Sequence, residues 1–371
     1  MNEHDIRFMQ RALQLARKGI GLASPNPTVG CVIVAGETHN GRIVGEGFHQ
    51  YDSRDHAEVV ALRTAEEEAR GATAYITLEP CTTTGRTGPC TSALSEAGIA
   101  RVVTATHDPN PKVAKRGIEV LRAGGVTVDS GVCEAEGQLL NHAFACWIRT
   151  ERPFVTLKSA MTLDGQLALA NSAKRKSREW ITSEESRAEV HRMRHASDAI
   201  LTGIGTILAD NPLLTDRSGL PRRRRLLRVI LDSKLRLSPK SRIVKSAQQD
   251  LLVFTSASLK SAKARNLQDE GVEVVRITGR SGSLELKSVL RGLGQRDILS
   301  VLLEAGPGLN SSALSARLVD RLFLFYAPKL AGHAKTPFSL GTGISRLPLR
   351  EKSLHEFGAD FALDTLLHNY F

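Results

Sequence analysis

The sequence predicts an α/β protein of two successive domains, and three observations carry that expectation. Strand-length apolar runs alternate with segments of helical period along most of the chain. Its 371 residues exceed what one hydrophobic core of common size accommodates. The helical pattern running into "WIRTERP", residues 147–153, stops where Pro153 removes a backbone donor, and a fresh apolar run follows at once. A boundary there gives domains of residues 1–148 and 149–371.

In the first domain an amphipathic helix over about residues 4–18 leads to the apolar strand "TVGCVIVA". The polar turn "GETHNG" returns the chain through "RIVGEGFHQ", which reads as a hairpin. "HAEVVALRTAEEEAR" has helical spacing and "TAYITLEP" is a strand. A helix at "CTSALSEAG", a strand at "ARVVTATHDP", a helix at "AKRGIEVLRAGG" and a strand at "VTVDSG" complete one sheet with helices on its faces. The second domain runs through strands at "FVTLKSAMTLDG", "DAILTG", "RVILDS", "DLLVFT", "VEVVRI", "ILSVLLEAG" and "DRLFLFYAPKL", with helical spacing in "SEESRAEVHRMRH" and "LKSVLRGLGQ".

Composition excludes several classes. No apolar run reaches membrane-spanning length, and the N-terminal segment lacks the apolar core of a signal peptide, so a cytoplasmic location is expected. Cys31, Cys81, Cys90, Cys133 and Cys146 are odd in number, which argues against a disulfide framework, and Cys31 in "VGCVIV" reads as a small core residue. The net charge of +11 would suit a nucleic-acid partner, but its distribution argues otherwise. Residues 1–150 carry 15 Lys+Arg against 17 Asp+Glu and the remainder 35 against 22, so the whole excess lies in the second domain. Small phosphorylated ligands satisfy it as well as RNA. "PRRRRLLR", residues 221–228, reads as a solvated loop.

The chemistry-bearing stretches of the first domain are "HAEV", residues 56–59, and "EPCTTTGRTGPC", residues 79–90. Zinc prefers nitrogen and sulfur in a tetrahedron, and a catalytic zinc leaves one corner for water. His56, Cys81 and Cys90 offer three such donors; His56 and Cys90 fall at helix starts, where partial positive charge favours the Cys90 thiolate. Glu58 would stand beside the open corner as a proton shuttle. H-x-E followed by P-C and a second cysteine is the zinc deaminase arrangement, in which a metal-activated water attacks an amino-bearing ring carbon. The alternative, a core histidine, a surface glutamate and two buried thiols, leaves the shared order of these motifs unexplained.

Eight residues separate the two cysteines, where nucleobase deaminases have two. With "PNPTVGCVIV", "GEGFHQ", "HAEV" and "DPNP", this stretch resembles the bifunctional riboflavin-biosynthesis deaminase/reductase family. The resemblance implies a cytidine-deaminase-like α/β/α fold, one Zn2+ held by His56, Cys81 and Cys90, and Glu58 as the catalytic residue. It also places Asn26, His49, Asp108 and Asn110 in motifs lining the pyrimidine and ribose-phosphate pocket. Thr83 and Gly88 depart from the family's histidine and proline, which removes a pocket contact and some loop stiffness.

In the second domain no G-x-G-x-x-G follows a strand, and "GIGT" at 203–206 is a weak signal. "LEAGPGLNSSAL" reads as a strand, a glycine-rich turn and a helix whose start can hold phosphate. "RPFVTLKSAMTLDG", "WIT", "TILADNPLLTDR", "LEAGPGL" and "YAPKLAG" resemble the reductase half of the same family, which implies a dihydrofolate-reductase-like α/β fold using NADPH. By position the cofactor would meet Ala160, Trp180, Thr206, Asp210, Gly306, Pro307, Gly308, Leu309, Asn310, Ser311 and Ser312. The substrate would meet Arg194, Leu214, Arg217 and Glu304, with Lys158 close by. Arg178 stands where the family has a serine, and Ser177 is a substitute after a small shift. Arg194 and Arg217 suit a phosphate, which guanidinium meets through paired hydrogen bonds.

Together these imply hydrolytic deamination of a diaminopyrimidinone ribosylamine phosphate, then NADPH-dependent reduction of its ribose side chain. The expected partners are small phosphorylated pyrimidines, without specific nucleic acid or membrane, in a homo-oligomer. Two other readings are weaker. A nucleic-acid deaminase with a basic accessory domain conflicts with the cysteine spacing and the acidic first domain. A structural zinc domain beside an RNA-binding domain has no use for Glu58.

Overall fold

Two glycines on one strand and three alanines on one helix position the first candidate site. In the computed structural model a Cβ at Gly45 would lie 2.2 Å from the Ala61 carbonyl oxygen, and one at Gly47 would lie 2.2 Å from that of Ala57. The helix therefore rests directly on the strand backbone, with Ala57, Ala61 and Ala65 turned inward at a four-residue spacing. Any larger residue at Gly47 would lift the helix start, and His56 and Glu58 with it.

The structure describes residues 3–36, 40–168, 180–277, 279, 283–332, 336–339 and 347–371. It divides into two compact units, Met1–Glu151 with Pro221–Arg224 and Tyr370–Phe371, and Arg152–Leu220 with Arg225–Asn369.

In the first unit the order is α1 (Glu3–Lys18), β1 (Gly30–Ala35), β2 (Arg42–Phe48), α2 (Ala57–Ala65), β3 (Thr73–Ile76), α3 (Cys90–Glu96), β4 (Arg101–Thr104), α4 (Arg116–Ala123), β5 (Thr127–Ser130) and α5 (Glu134–Thr150). The sheet order is β2-β1-β3-β4-β5. β1 is antiparallel to β2 and β3, whereas β3, β4 and β5 run parallel. β1 reads as a continuous apolar run because both faces are covered. Cys31 and Ile33 join the core beneath α2, while Val32 and Val34 face Phe8, Met9 and Leu13 of α1. Cys31 is fully buried in that core. The strand expected over 73–80 ends as a ladder at Ile76, and Thr77–Pro80 carry the chain onward to Cys81.

The second unit contains β6 (Phe154–Thr162), α6 (Glu184–His195), β7 (Ala199–Gly203), α7 (Ile204–Asp210), β8 (Leu227–Leu231), α8 (Arg242–Lys245), β9 (Leu251–Thr255), α9 (Ala262–Asp269), β10 (Glu273–Arg276), α10 (Leu286–Gly294), β11 (Ser300–Leu303), α11 (Pro307–Ser315), β12 (Arg321–Ala327), β13 (Arg350–Phe357) and β14 (Asp360–Leu366). They form a nine-stranded sheet, β10-β9-β8-β7-β11-β6-β12-β14-β13, parallel except for the last two pairings. Alternate residues supply two cores: Ala199, Leu201 and Val229 on one face, Ile200, Ile230 and Val253 on the other.

The strand reading from sequence stops at "DRLFLFYAPKL", whereas a further hairpin, β13–β14, follows. β13 is an edge strand exposed along nearly its whole length, so "REKSLHEF" carries no apolar alternation to betray it. The arginine run also differs from a solvated loop. Arg222, Arg223 and Arg224 are half-buried. Arg228 is 1% exposed and its two terminal nitrogens bond Asp250 Oδ1 at 2.7 Å, Ser246 and the Leu213 carbonyl, which offsets burying the charge.

Candidate functional site

His56 is the N-cap of α2 and Cys90 opens α3, so two helix starts converge on the loop that follows β3. Nδ1 of His56 lies 3.1 Å from Sγ of Cys90 and 3.5 Å from Sγ of Cys81. All three potential ligand atoms fall within 4.8 Å of one another. One imidazole and two thiols at that separation suit a zinc ion, and no fourth protein ligand joins them among the described residues.

The three groups are electrostatically linked. The Cys90 thiol beside Cys81 lowers the Cys81 pKa, with His56 adding to the effect. Cys90 is pushed up, first by its bond to Cys81, then by burial and by Glu58. His56 is raised by its bond to Cys81.

Glu58 is 4% exposed in the first turn of α2, and burial pushes its carboxyl up; His56 opposes that shift and Cys81 reinforces it. A buried carboxyl beside the ligands, outside the ligand set, is poised to carry a proton.

Asn26 and His49 also reach this centre. Asn26 Nδ2 lies 3.0 Å from His49 Nε2, and His49 Nδ1 lies 2.8 Å from the Asp55 carbonyl. The His49 and His56 rings meet edge to face at 5.3 Å. Burial lowers the pKa of His49, keeping it a neutral hydrogen-bonding ring. Cys81, Thr83, Asp108 and Val113 line a cleft with Glu79. Asp108 accepts from the Asn110 N–H at 2.8 Å, and burial pushes the Asp108 carboxyl up to about 6. Thr83 and Gly88 are exposed. Glu79, which opens "EPCTTTGRTGPC", has no role in the sequence reading, yet it accepts hydrogen bonds from several backbone amides of the loop bearing Asp108.

In the second unit β11 is flanked by β6 and β7, with Leu303 opposite both Leu157 and Leu201. That register brings Lys158 and Glu304 together at adjacent strand positions, with Lys158 Nζ 3.9 Å from Glu304 Oε2. Arg194 of α6 bonds the same carboxylate through Nε at 2.8 Å and Nη2 at 3.0 Å. Burial raises the Glu304 carboxyl, but Arg194 and Lys158 more than offset this and hold it below the usual range. Burial lowers the Lys158 ammonium. The guanidinium of Arg194 is engaged by Glu304 and the Thr215 carbonyl. Arg217 is exposed, with Nε on Thr215 Oγ1 at 3.2 Å. Leu214 has φ of 55° and a side chain buried in a core cluster.

The turns after β7 and β11 are neighbours: a Cβ at Gly203 would lie 3.8 Å from Leu309. Thr206 and Asp210 follow on α7. Gly306 caps α11, Pro307 is its first residue, and a Cβ at Gly306 or Gly308 would meet open space. Asn310 is fully buried, gives Nδ2 to the Phe338 carbonyl at 3.0 Å, and has no partner for Oδ1 among the described residues. Ser311 bonds Ser339 and Ser312 bonds the Gly308 carbonyl. A helix start with open space and an unmet buried acceptor fits a nucleotide phosphate and its neighbouring donors. Ala160 lies on β6 opposite Phe325, and the half-exposed Trp180 receives Lys329 on its carbonyl at 2.9 Å. Ser177 and Arg178 lie outside the described residues.

A zinc-type deaminase centre on one α/β unit and a parallel-sheet unit with a glycine-rich helix start define a two-domain deaminase/reductase. Residues 2–106 match the cytidine and deoxycytidylate deaminase zinc-binding region, and residues 153–363 match the RibD C-terminal domain. The riboflavin biosynthesis protein RibD of Aquifex aeolicus is 41% identical over 366 residues, covering 98% of each chain. RibD of Acinetobacter baumannii, form 1, superimposes with a TM-score of 0.84 at 36% identity over 99% of each chain. A Thermotoga maritima diaminohydroxyphosphoribosylaminopyrimidine deaminase/5-amino-6-(5-phosphoribosylamino)uracil reductase gives 0.82 at 36% identity over 99% of each chain. The chain belongs to the RibD family. It is a bifunctional enzyme of riboflavin biosynthesis, with a zinc-dependent deaminase domain followed by an NADPH-dependent reductase domain.

Proposed function

We propose that His56, Cys81 and Cys90 hold the zinc and that Glu58 moves the proton in deamination of diaminohydroxyphosphoribosylaminopyrimidine. Zinc, when bound, supplies Lewis-acid activation of water. Glu58 accepts the proton of that water on a carboxylate oxygen and returns it to the departing amine. Its burial supports this role, because a raised pKa lets one group serve as base and then as acid. Asn26 and His49 orient the ring from one side, and Asp108 and Asn110 from the other. The observation that carries the reading is a buried glutamate next to three ligands that it does not join. Replacing Glu58 by Gln tests it, since the ligand set survives and the shuttle does not.

In the reductase domain NADPH supplies hydride to C1′ of the opened ribosylamine. The α11 start and Asn310 hold the cofactor, with Thr206, Asp210, Ala160 and Trp180 around it. Arg194 fixes the Glu304 carboxylate toward the substrate, Lys158 donates from the adjacent strand, and Arg217, exposed and uncommitted to a carboxylate, anchors the phosphate. The domains of residues 1–148 and 149–371 carry these two activities separately. No described helix is long and apolar enough to cross a membrane. Action in the cytoplasm and assembly as a homo-oligomer complete the proposal, the latter tested by light scattering of the purified chain.

A further inference from the structure

One buried carboxylate in the deaminase cleft has no part in the proton chemistry. The side chain of Glu79 is 1% exposed. Its Oε2 accepts from the backbone N–H of Asp108 at 3.0 Å and of Lys115 at 2.9 Å. Its Oε1 accepts from the N–H of Gly117 at 2.8 Å, with that of Ile118 at 3.4 Å. Among the described residues, the His107 ring also comes near, with Nδ1 at 3.8 Å from Oε2.

These donors are the two ends of one loop. Asp108 opens it, and Lys115 to Ile118 form the start of α4. Between them the Asn110 side chain accepts from the Lys112 N–H, and the Asn110 carbonyl accepts from Val113 and Ala114. Glu79 is anchored in turn: its own N–H donates to the Thr106 carbonyl at 3.0 Å, two residues before the candidate ligand Cys81. The approach is close. A Cβ at Gly117 would lie 2.1 Å from the Pro80 carbonyl oxygen and 3.1 Å from Glu79 Cγ, so the start of α4 rests directly on the Pro80–Cys81 peptide and the Glu79 side chain. Charge-assisted bonds from several amides, joined by the favourable field of a helix start, make this a stiff clamp.

We infer that Glu79 is a positioning residue for deamination. Its carboxylate fixes the spacing between the Asp108–Asn110 loop and Cys81, so a pyrimidine held by the loop presents its amino-bearing carbon at the metal centre. This rests on the reading that Asp108 and Asn110 contact the substrate.

The test uses Glu79→Gln and Asp108→Asn in the full chain. Zinc content, reduction of pre-deaminated substrate, and kcat and KM for ammonia release are measured on both. For Glu79→Gln, zinc and reduction stay at wild-type values while the deaminase KM rises about tenfold or more and kcat changes by less than about threefold. An unchanged KM overturns the inference, as does a parallel loss of zinc and kcat, which would make Glu79 a support of Cys81 alone. Asp108→Asn separates the two failures. An unchanged KM there removes the substrate-contact reading itself, whereas a raised KM beside a wild-type Glu79→Gln removes only the role of Glu79. Should Glu79→Gln not accumulate as folded protein, Glu79→Asp keeps the charge on a stem one methylene shorter. A raised KM in that variant supports the inference, and a wild-type KM refutes it.

Discussion

Arg194 and Glu304 meet through paired hydrogen bonds at 2.8 and 3.0 Å, although 110 residues separate them. Lys158 approaches the same carboxylate, so one negative charge stands between two buried cations. Glu304→Ala leaves both cations without that partner at the reductase site. Reduction should fall roughly ten- to a hundredfold, the loss expected of a charge-assisted hydrogen bond, with ammonia release unaffected. NADPH consumption on pre-deaminated substrate checks this, and wild-type turnover would refute the assignment.

The His56, Cys81 and Cys90 triangle should bind about one zinc per chain. Cys90→Ala removes one of the two sulfurs and should abolish tight binding. Metal analysis after dialysis reads the result, and undiminished zinc would take Cys90 out of the site.

Asp108 has a definite stability signature. Its folded pKa is raised by burial from 3.8 to about 6, so the folded chain holds this proton more tightly than the unfolded chain. The contribution is therefore fully present below pH 3.8 and declines as pH rises toward about 6. Partial exposure keeps the effect to about 2 kcal/mol. Denaturant titrations of wild type and Asp108→Asn at pH 4.5 and 7 should differ by a wild-type penalty that grows with pH. A constant difference would mean that the carboxyl is not buried in solution.

Thr83 and Gly88 bear on substrate binding more than on the chemical step. Thr83 lines the same cleft as Asp108 with a short hydroxyl, and a Cβ at Gly88 would meet open space. Thr83→His, alone or with Gly88→Pro, should lower the deaminase KM and leave kcat nearly unchanged. Kinetics on the single and double variants decide it; an unchanged or raised KM in both would show that the threonine-rich loop is already adequate.

The metal triad was legible because His56 and Cys90 sit where their elements begin, and helix starts are readable from local pattern. The two α/β units were legible for the same reason, since β1, β7 and β8 are apolar on both faces. What escaped depends on distant partners. Glu79 gains its importance from backbone amides 29 to 38 residues ahead, and backbone donors leave no mark in the sequence. The Arg194–Glu304 pair joins α6 to the residue after β11, a tertiary contact that local pattern does not show. The polar edge strand β13 likewise escaped because it has one side in solvent.

The central claim is that one chain deaminates and then reduces the same pyrimidine at two separate sites. The most direct measurement is the mass of the product formed from the diaminopyrimidinone ribosylamine phosphate by zinc-loaded wild type and Glu58→Gln, each with and without NADPH. Wild type should exchange the amino group for oxygen without NADPH, and should add two hydrogens when NADPH is present. Glu58→Gln should slow the first change by about 10²–10⁴-fold while reducing pre-deaminated substrate at the wild-type rate. Undiminished deamination in Glu58→Gln, or loss of both activities in a folded, zinc-loaded variant, would contradict the account.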